Sequence, residues 1–199
     1  MIVIIDYGLG NIKAFSNILQ RKNFDFRIAK NEGDLKGASK IILPGVGSFD
    51  AAMDALNKSG MRTTLDELVL EKKIEVLGIC IGMQIMCKSS KEGIKEGLGW
   101  IDAEVKKIEE KDIYPLPHMG WNTLHIKKDD KIFNDIIADS EFYFLHSYYI
   151  ESKNESVIAY SDYSCEIASV IKNKNIYGIQ CHPEKSHKNG EIFLENFVR

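Results

Sequence analysis

The chain has 199 residues, a formal net charge of -3 at neutral pH, and 44% hydrophobic against 28% charged residues. That length suits one domain, 1–199, with a real core, and mildly acidic charge of alternating sign leaves no basic footprint for nucleic acid. Four cysteines without C-x-x-C pairs argue against a disulfide scaffold. No apolar run approaches the roughly 20 residues of a membrane helix, and no targeting segment precedes the first apolar strand, so a cytoplasmic protein is expected.

In chain order, the first half alternates apolar strands with amphipathic helices, the pattern of a parallel sheet covered by helices. IVIID (2–6) is a predicted strand, and the helix predicted over GNIKAFSNILQRKN (10–23) puts Ile12, Phe15, Ile18 and Leu19 on one face. Strands DFRIA (25–29) and KIILPG (40–45) follow, then helices over FDAAMDALNKSG (49–60) and TLDELVLEKK (64–73). A buried strand over 75–79 then runs into VLGICIGMQ (76–84), where Gly78 and Gly82 each lie two residues from Cys80. Strand, sharp turn and immediate helix make the pattern of a nucleophile elbow with cysteine in place of serine, and a helix N-terminus there would favour the thiolate. The segment alone is equally readable as a small buried hydrophobe at a strand end.

After Trp100 the texture changes to short strands with turn punctuation: 103–109, 122–128, 142–151, 156–163 and 169–181, the last with a hairpin turn at Asn173 and Lys174. A closing helix over 189–199 turns Ile192, Phe193 and Phe197 toward the sheet. The expected architecture is a three-layer α/β domain with a mixed sheet and an antiparallel extension. Cys80 falls at the carboxyl edge of that sheet, where such folds place their sites.

In IQCHPEKS (179–186), an extended chain would set His182 and Glu184 on one face with Pro183 pointing away, letting the carboxylate hold the imidazole as a base. Cysteine, histidine and an orienting acid are the parts of a nucleophilic triad, although a histidine at a strand end is by itself more often structural. In LPGVGSFD (43–50), glycines around Val46 free the backbone, so the N–H groups of Val46 and Ile81 could form an oxyanion hole. A plain strand-to-helix turn explains that loop as well. GLGN (8–11) lacks the third glycine of a dinucleotide loop, Lys13 standing there, and the remaining cysteines and histidines lack metal-ligand spacing. Neither metal nor cofactor is expected.

GICIGMQ, PGVG and HPEKS together resemble the class I, triad-type glutamine amidotransferases, whose domain is flavodoxin-like; DYGLGN (6–11) and PHMGWN (117–122) are similar to those that serve imidazole glycerol phosphate synthase. The resemblance runs end to end. It implies a Cys80, His182 and Glu184 triad, with Gly47, Gln84, Ser147 and Tyr148 around bound glutamine. It also implies a separate (β/α)8-barrel cyclase partner in a heterodimer, which would turn the ammonia into imidazole glycerol phosphate and AICAR for histidine synthesis. The docking face would lie around Asn11, Trp121, Tyr143 and Lys185. A paralogous synthase that aminates surface sugars and a stand-alone cysteine-elbow hydrolase remain open alternatives. Departures from the family pattern are Ile81, Cys181 and His187, the last on the loop after the triad.

Overall fold

The computed structural model describes residues 1–151 and 153–199. The described residues form thirteen strands or strand pieces: β1 (Ile2–Ile5), β2 (Phe26–Ala29), β3 (Lys40–Gly45), β4 (Glu75–Cys80), β5 (Ser89–Ser90), β6 (Glu104–Lys107), β7 (His118–Thr123), β8 (His125–Ile126), β9 (Glu141–His146), β10 (Tyr148–Tyr149), β11 (Val157–Tyr163), β12 (Cys165–Asn173) and β13 (Ile176–Ile179). The helices are α1 (Ile12–Arg21), α2 (Phe49–Lys58), α3 (Arg62–Asp66), α4 (Ile81–Gln84) and α5 (His187–Val198).

The principal sheet has the order β2-β1-β3-β4-β13-β12-β11-β8. Its first five strands are parallel and the rest antiparallel, so the mixed sheet with an antiparallel extension is as expected. Parallel strands must be covered on both faces, and β1, β3 and β4 are accordingly almost wholly buried runs of Ile, Val and Leu. The step from β1 to β2 runs opposite to that from β3 to β4, and right-handed crossovers then put α1 and α2 on opposite faces. Helix α1 buries Phe15, Ile18 and Leu19, leaves Ile12 partly exposed, and shares its face with α5 through the Arg21–Glu191 and Lys22–Glu195 ion pairs. Helix α5 buries Phe193 and Phe197 as predicted, and also Leu194, whereas the predicted Ile192 packs against the core only partly buried.

The second half departs from the prediction in detail. The segment 122–128 does not form one strand: β7 pairs with β9, whereas β8 joins the edge of the main sheet through β11. The segment 142–151 also divides, because β10 leaves β9 to pair with β6. Apolar content alone could not assign these pieces to separate sheets. The hairpin turn falls one residue later than predicted: Asn173 pairs with Ile176, leaving Lys174 and Asn175 as the turn, and Lys174 takes the positive φ of 56°. Helix 64–73 begins earlier, at Arg62, and ends in a wider π turn over Glu67–Glu71. Among the described residues, no helix is long and apolar enough to cross a membrane.

Candidate active site

Cys80 ends β4 and adopts φ 54° and ψ -113°, a left-handed backbone that only a sharply turned, well-supported residue holds. The glycines beside it are needed for close approach: a Cβ on Gly82 would lie 1.9 Å from the Leu43 carbonyl oxygen, and one on Gly78 would lie 2.6 Å from that of Gly82. The elbow predicted from glycine spacing is therefore present. The helix that follows at once is short, since α4 spans only four residues, so the dipole at Cys80 is that of one turn. Ile81 is the first residue of that turn, and its N–H has no acceptor within the helix.

His182 Nδ1 lies 3.0 Å from Glu184 Oε1, and both side chains are buried. The predicted pair forms, but not in an extended chain. Pro183–Lys185 is a single 3-10 turn, which the fixed φ of proline favours, and that turn, not strand alternation, brings residues two apart together. Ser186 pins the turn to β9: its Oγ donates to the His182 carbonyl at 2.7 Å and accepts the Tyr143 N–H at 3.0 Å, while the His182 N–H donates to the Tyr143 carbonyl at 2.8 Å. With Nδ1 committed to Glu184, Nε2 is left for the sulfur. Burial alone would pull the His182 imidazole below its ordinary 6.5, but hydrogen bonds and charges from Cys80 and Glu184 override it and push it up to about 10. The arrangement thus favours a protonated imidazole, oriented by a carboxylate, beside the sulfur.

These side chains open onto a cavity of about 300 Å³ whose lining includes Val46, Gly47, Cys80, Ile81, Gln84, Ser147, Tyr148, His182 and Lys185. Every predicted triad, oxyanion and substrate residue except Glu184, which sits behind His182, therefore borders one amino-acid-sized space. Gly47 has φ +97°, so the Val46–Gly47 peptide occupies a conformation that glycine permits. The predicted docking residues are partly gathered. Trp121 packs edge-on to Tyr143 at 6.0 Å, and Lys185 Nζ stands 5.5 Å above the Tyr143 ring. Asn11 is exposed at the start of α1, outside that cluster. His187 stacks on Trp121 with ring centroids 5.1 Å apart.

Two residues escaped sequence reasoning. Glu92 lines the cavity and accepts the Phe49 N–H of α2 at 2.7 Å; it belongs to no motif, so nothing in its neighbours could announce it. Gln180, two residues before His182, donates from Nε2 to Cys80 Sγ at 3.7 Å. The period-two argument that singled out residue 184 from residue 182 applied equally to residue 180.

His146, which lines the cavity, forms a buried pair with His118, His118 Nδ1 being 3.0 Å from His146 Nε2. Burial pulls His118 down to about 4, and burial followed by the charge of His118 takes His146 to about 3. The unfolded chain takes up these protons near pH 6.5 and the folded chain only near pH 4 and below, so stability present above pH 6.5 is lost as pH falls toward 4. The expected result is a denaturant midpoint that drops between pH 7 and pH 5, with a shallower drop in His118→Gln. Equal slopes in the two proteins would show that the pair does not set the acid limit.

The glutamine amidotransferase class-I family model matches residues 3–199. A relative from Leptospira interrogans, imidazole glycerol phosphate synthase subunit HisH, is 49% identical over 202 residues, covering 100% of this chain and 99% of its own. The protein of the same name from Bdellovibrio bacteriovorus is 46% identical, with 99% and 98% covered. Among solved structures, a glutamine amidotransferase superposes with a TM-score of 0.75 at 16% identity over 99% of both chains. PurLQS from Thermotoga maritima gives 0.73 at 15% identity, covering 99% of this chain and 96% of that one. At such identities these structures speak for the fold alone.

Proposed function

The chain belongs to the class-I glutamine amidotransferase family, and from that premise we propose that it is the glutaminase subunit of an imidazole glycerol phosphate synthase. It hydrolyses L-glutamine to L-glutamate and ammonia for histidine biosynthesis. The observation that carries this reading is the contact of Cys80 with a His182–Glu184 pair at the edge of an amino-acid-sized cavity.

The Cys80 thiolate attacks the carboxamide carbon of glutamine, forming the C–S bond while the carbonyl electron pair moves onto oxygen. The N–H groups of Val46 and Ile81 hold that oxyanion. As the intermediate collapses, the C–N bond breaks and the departing nitrogen takes the His182 proton, leaving as ammonia. Neutral His182 then removes a proton from water, which attacks the thioester, and the thiolate leaves as glutamate forms. Glu184 keeps the imidazole in the orientation that serves both steps. Gln84 presents a buried carbonyl oxygen, Oε1, that lacks a hydrogen-bond partner among the described residues, an acceptor suited to a substrate N–H. Glu92, a carboxylate in the lining, suits the α-ammonium of an amino acid. Gly47, Ser147 and Tyr148 complete the enclosure of glutamine.

The ammonia acceptor is bound elsewhere, on a (β/α)8-barrel cyclase that forms a heterodimer with this single-domain, cytoplasmic subunit. Support for docking beside the cavity comes from the apolar side chains exposed there, Val46 at 40%, Met119 at 64% and Trp121 at 45%, next to Tyr143 and Lys185. Asn11, exposed at the N-terminal end of α1, is the part of the docking face that lies outside this cluster.

The test is complementation. A strain lacking its histidine-pathway glutaminase, supplied with this chain and the cyclase of the same genome, is expected to grow without histidine. Purified with that cyclase, the chain should hydrolyse glutamine faster when the cyclase carries its substrate. No growth, with both proteins soluble and glutaminase activity present, would reassign the partner to a paralogous synthase.

A further inference from the structure

We propose that Gln180 is a positioning residue for the Cys80 sulfur, its amide oriented by a buried hydrogen-bond network that shares one backbone carbonyl, that of Tyr148. The proposal rests on the reading of Cys80 as the nucleophile.

A carbonyl oxygen can only accept, and this one fixes every orientation around it. His146 Nδ1 lies 2.8 Å from the Tyr148 oxygen, so Nδ1 carries the proton and Nε2 must accept. His118 Nδ1, 3.0 Å from that Nε2, therefore donates, and His118 Nε2 accepts from Asn122 Nδ2 at 3.2 Å. Stacking of His118 between Phe144 at 4.8 Å and Tyr163 at 4.0 Å fixes the ring plane. On the other side of the same carbonyl, Gln84 Nε2 donates at 3.0 Å, which settles which end of that amide is nitrogen. The second proton of Gln84 Nε2 goes to Gln180 Oε1 at 2.9 Å. With its oxygen so engaged, Gln180 can present only its NH2 group to Cys80 Sγ, 3.7 Å away.

The sulfur also lies 4.0 Å from the Leu145 carbonyl, an acceptor for the thiol proton. One neighbour thus favours the neutral thiol, whereas Gln180 and His182 donate to the anion. The two donors are not equivalent. His182 must give up its proton during turnover, but the Gln180 amide neither titrates nor leaves, so the thiolate keeps one fixed donor throughout the cycle. Its backbone is held too, the Gln180 N–H donating to the Ser169 carbonyl at 2.8 Å.

The test compares Gln180→Met, which keeps the length and loses the donor, with the unaltered full chain. Alkylation of Cys80 by iodoacetamide is followed against pH on the Cys80 peptide by mass spectrometry, together with kcat and KM for glutamine and the thermal midpoint. The other titratable groups facing this sulfur are His182, Tyr7 and Cys181, none of them altered by the substitution. The expected result is an alkylation midpoint about one pH unit higher and a kcat about tenfold lower, with KM within about twofold. If Gln180→Met does not fold, Gln180→Asn, whose amide stops one carbon short of the sulfur, is expected to give the same shift. An unmoved midpoint in a folded variant, with Cys80 still required for glutamine hydrolysis, overturns the assignment of Gln180 alone. Glutamine hydrolysis that survives loss of Cys80 overturns the reading beneath it.

Discussion

Cys80→Ala is expected to lower glutamine-dependent synthesis by the complex at least about a thousandfold and to leave ammonia-dependent synthesis within about twofold of the unaltered complex. The asymmetry follows from where the two reactions occur. Removing the sulfur removes the atom that bonds to the carboxamide carbon, and His182 and Glu184 have nothing left to activate. The acceptor chemistry, on another subunit, receives external ammonia as before. The fold should persist, because Cys80→Ala removes one buried sulfur atom at a cost of about 1 kcal/mol and leaves the positive φ at that position unchanged. Thermal unfolding of the variant checks this directly. Equal loss with both nitrogen donors would sink the assignment of Cys80 to ammonia production.

Gly82→Ala should be among the most damaging single methyls in the protein, costing more than about 3 kcal/mol of stability. The added Cβ would stand 1.9 Å from the Leu43 carbonyl oxygen, 2.9 Å from its carbonyl carbon and 3.2 Å from that of Pro44. All three atoms are β3 backbone, so no side-chain rotation can make room. The start of α4 would have to move away from β3, carrying Cys80 and Ile81 away from the Val46 loop. Glutamine hydrolysis should therefore fall even in the fraction that folds. The neighbouring Ile81→Leu, whose role is carried by its backbone, should cost less than about 1.5 kcal/mol and keep activity. Denaturant titration of both variants tests the contrast, and a Gly82→Ala protein as stable as Ile81→Leu would show that the elbow is not sterically closed.

Local chemistry made much of the site legible. Glycines at 78 and 82 announced the turn at Cys80 because the backbone itself demands them, whatever the rest of the fold does. His182 and Glu184 were paired correctly for a partly wrong reason: two residues apart they share a face in a strand, yet here a proline-initiated 3-10 turn joins them. The parallel half of the sheet was equally readable, since strands buried on both faces must be continuous apolar runs.

By itself, then, the sequence determined the strand–helix alternation, the elbow, and which side chains could carry a nucleophile, a base and an orienting acid, because each is written in neighbouring residues and their spacing. Only the tertiary structure decided that β7 and β9 leave the main sheet, that Glu92 reaches the cavity and that Gln180 faces the sulfur. Those contacts join residues far apart in the chain. The 100 residues separating Gln180 from Cys80 are bridged by the pairing of β13 with β4, and the orientation of its amide is set by a carbonyl at Tyr148 and a second amide at Gln84. A hydrogen bond of that kind depends on where backbone atoms lie after packing, a property that no local pattern of residue types encodes.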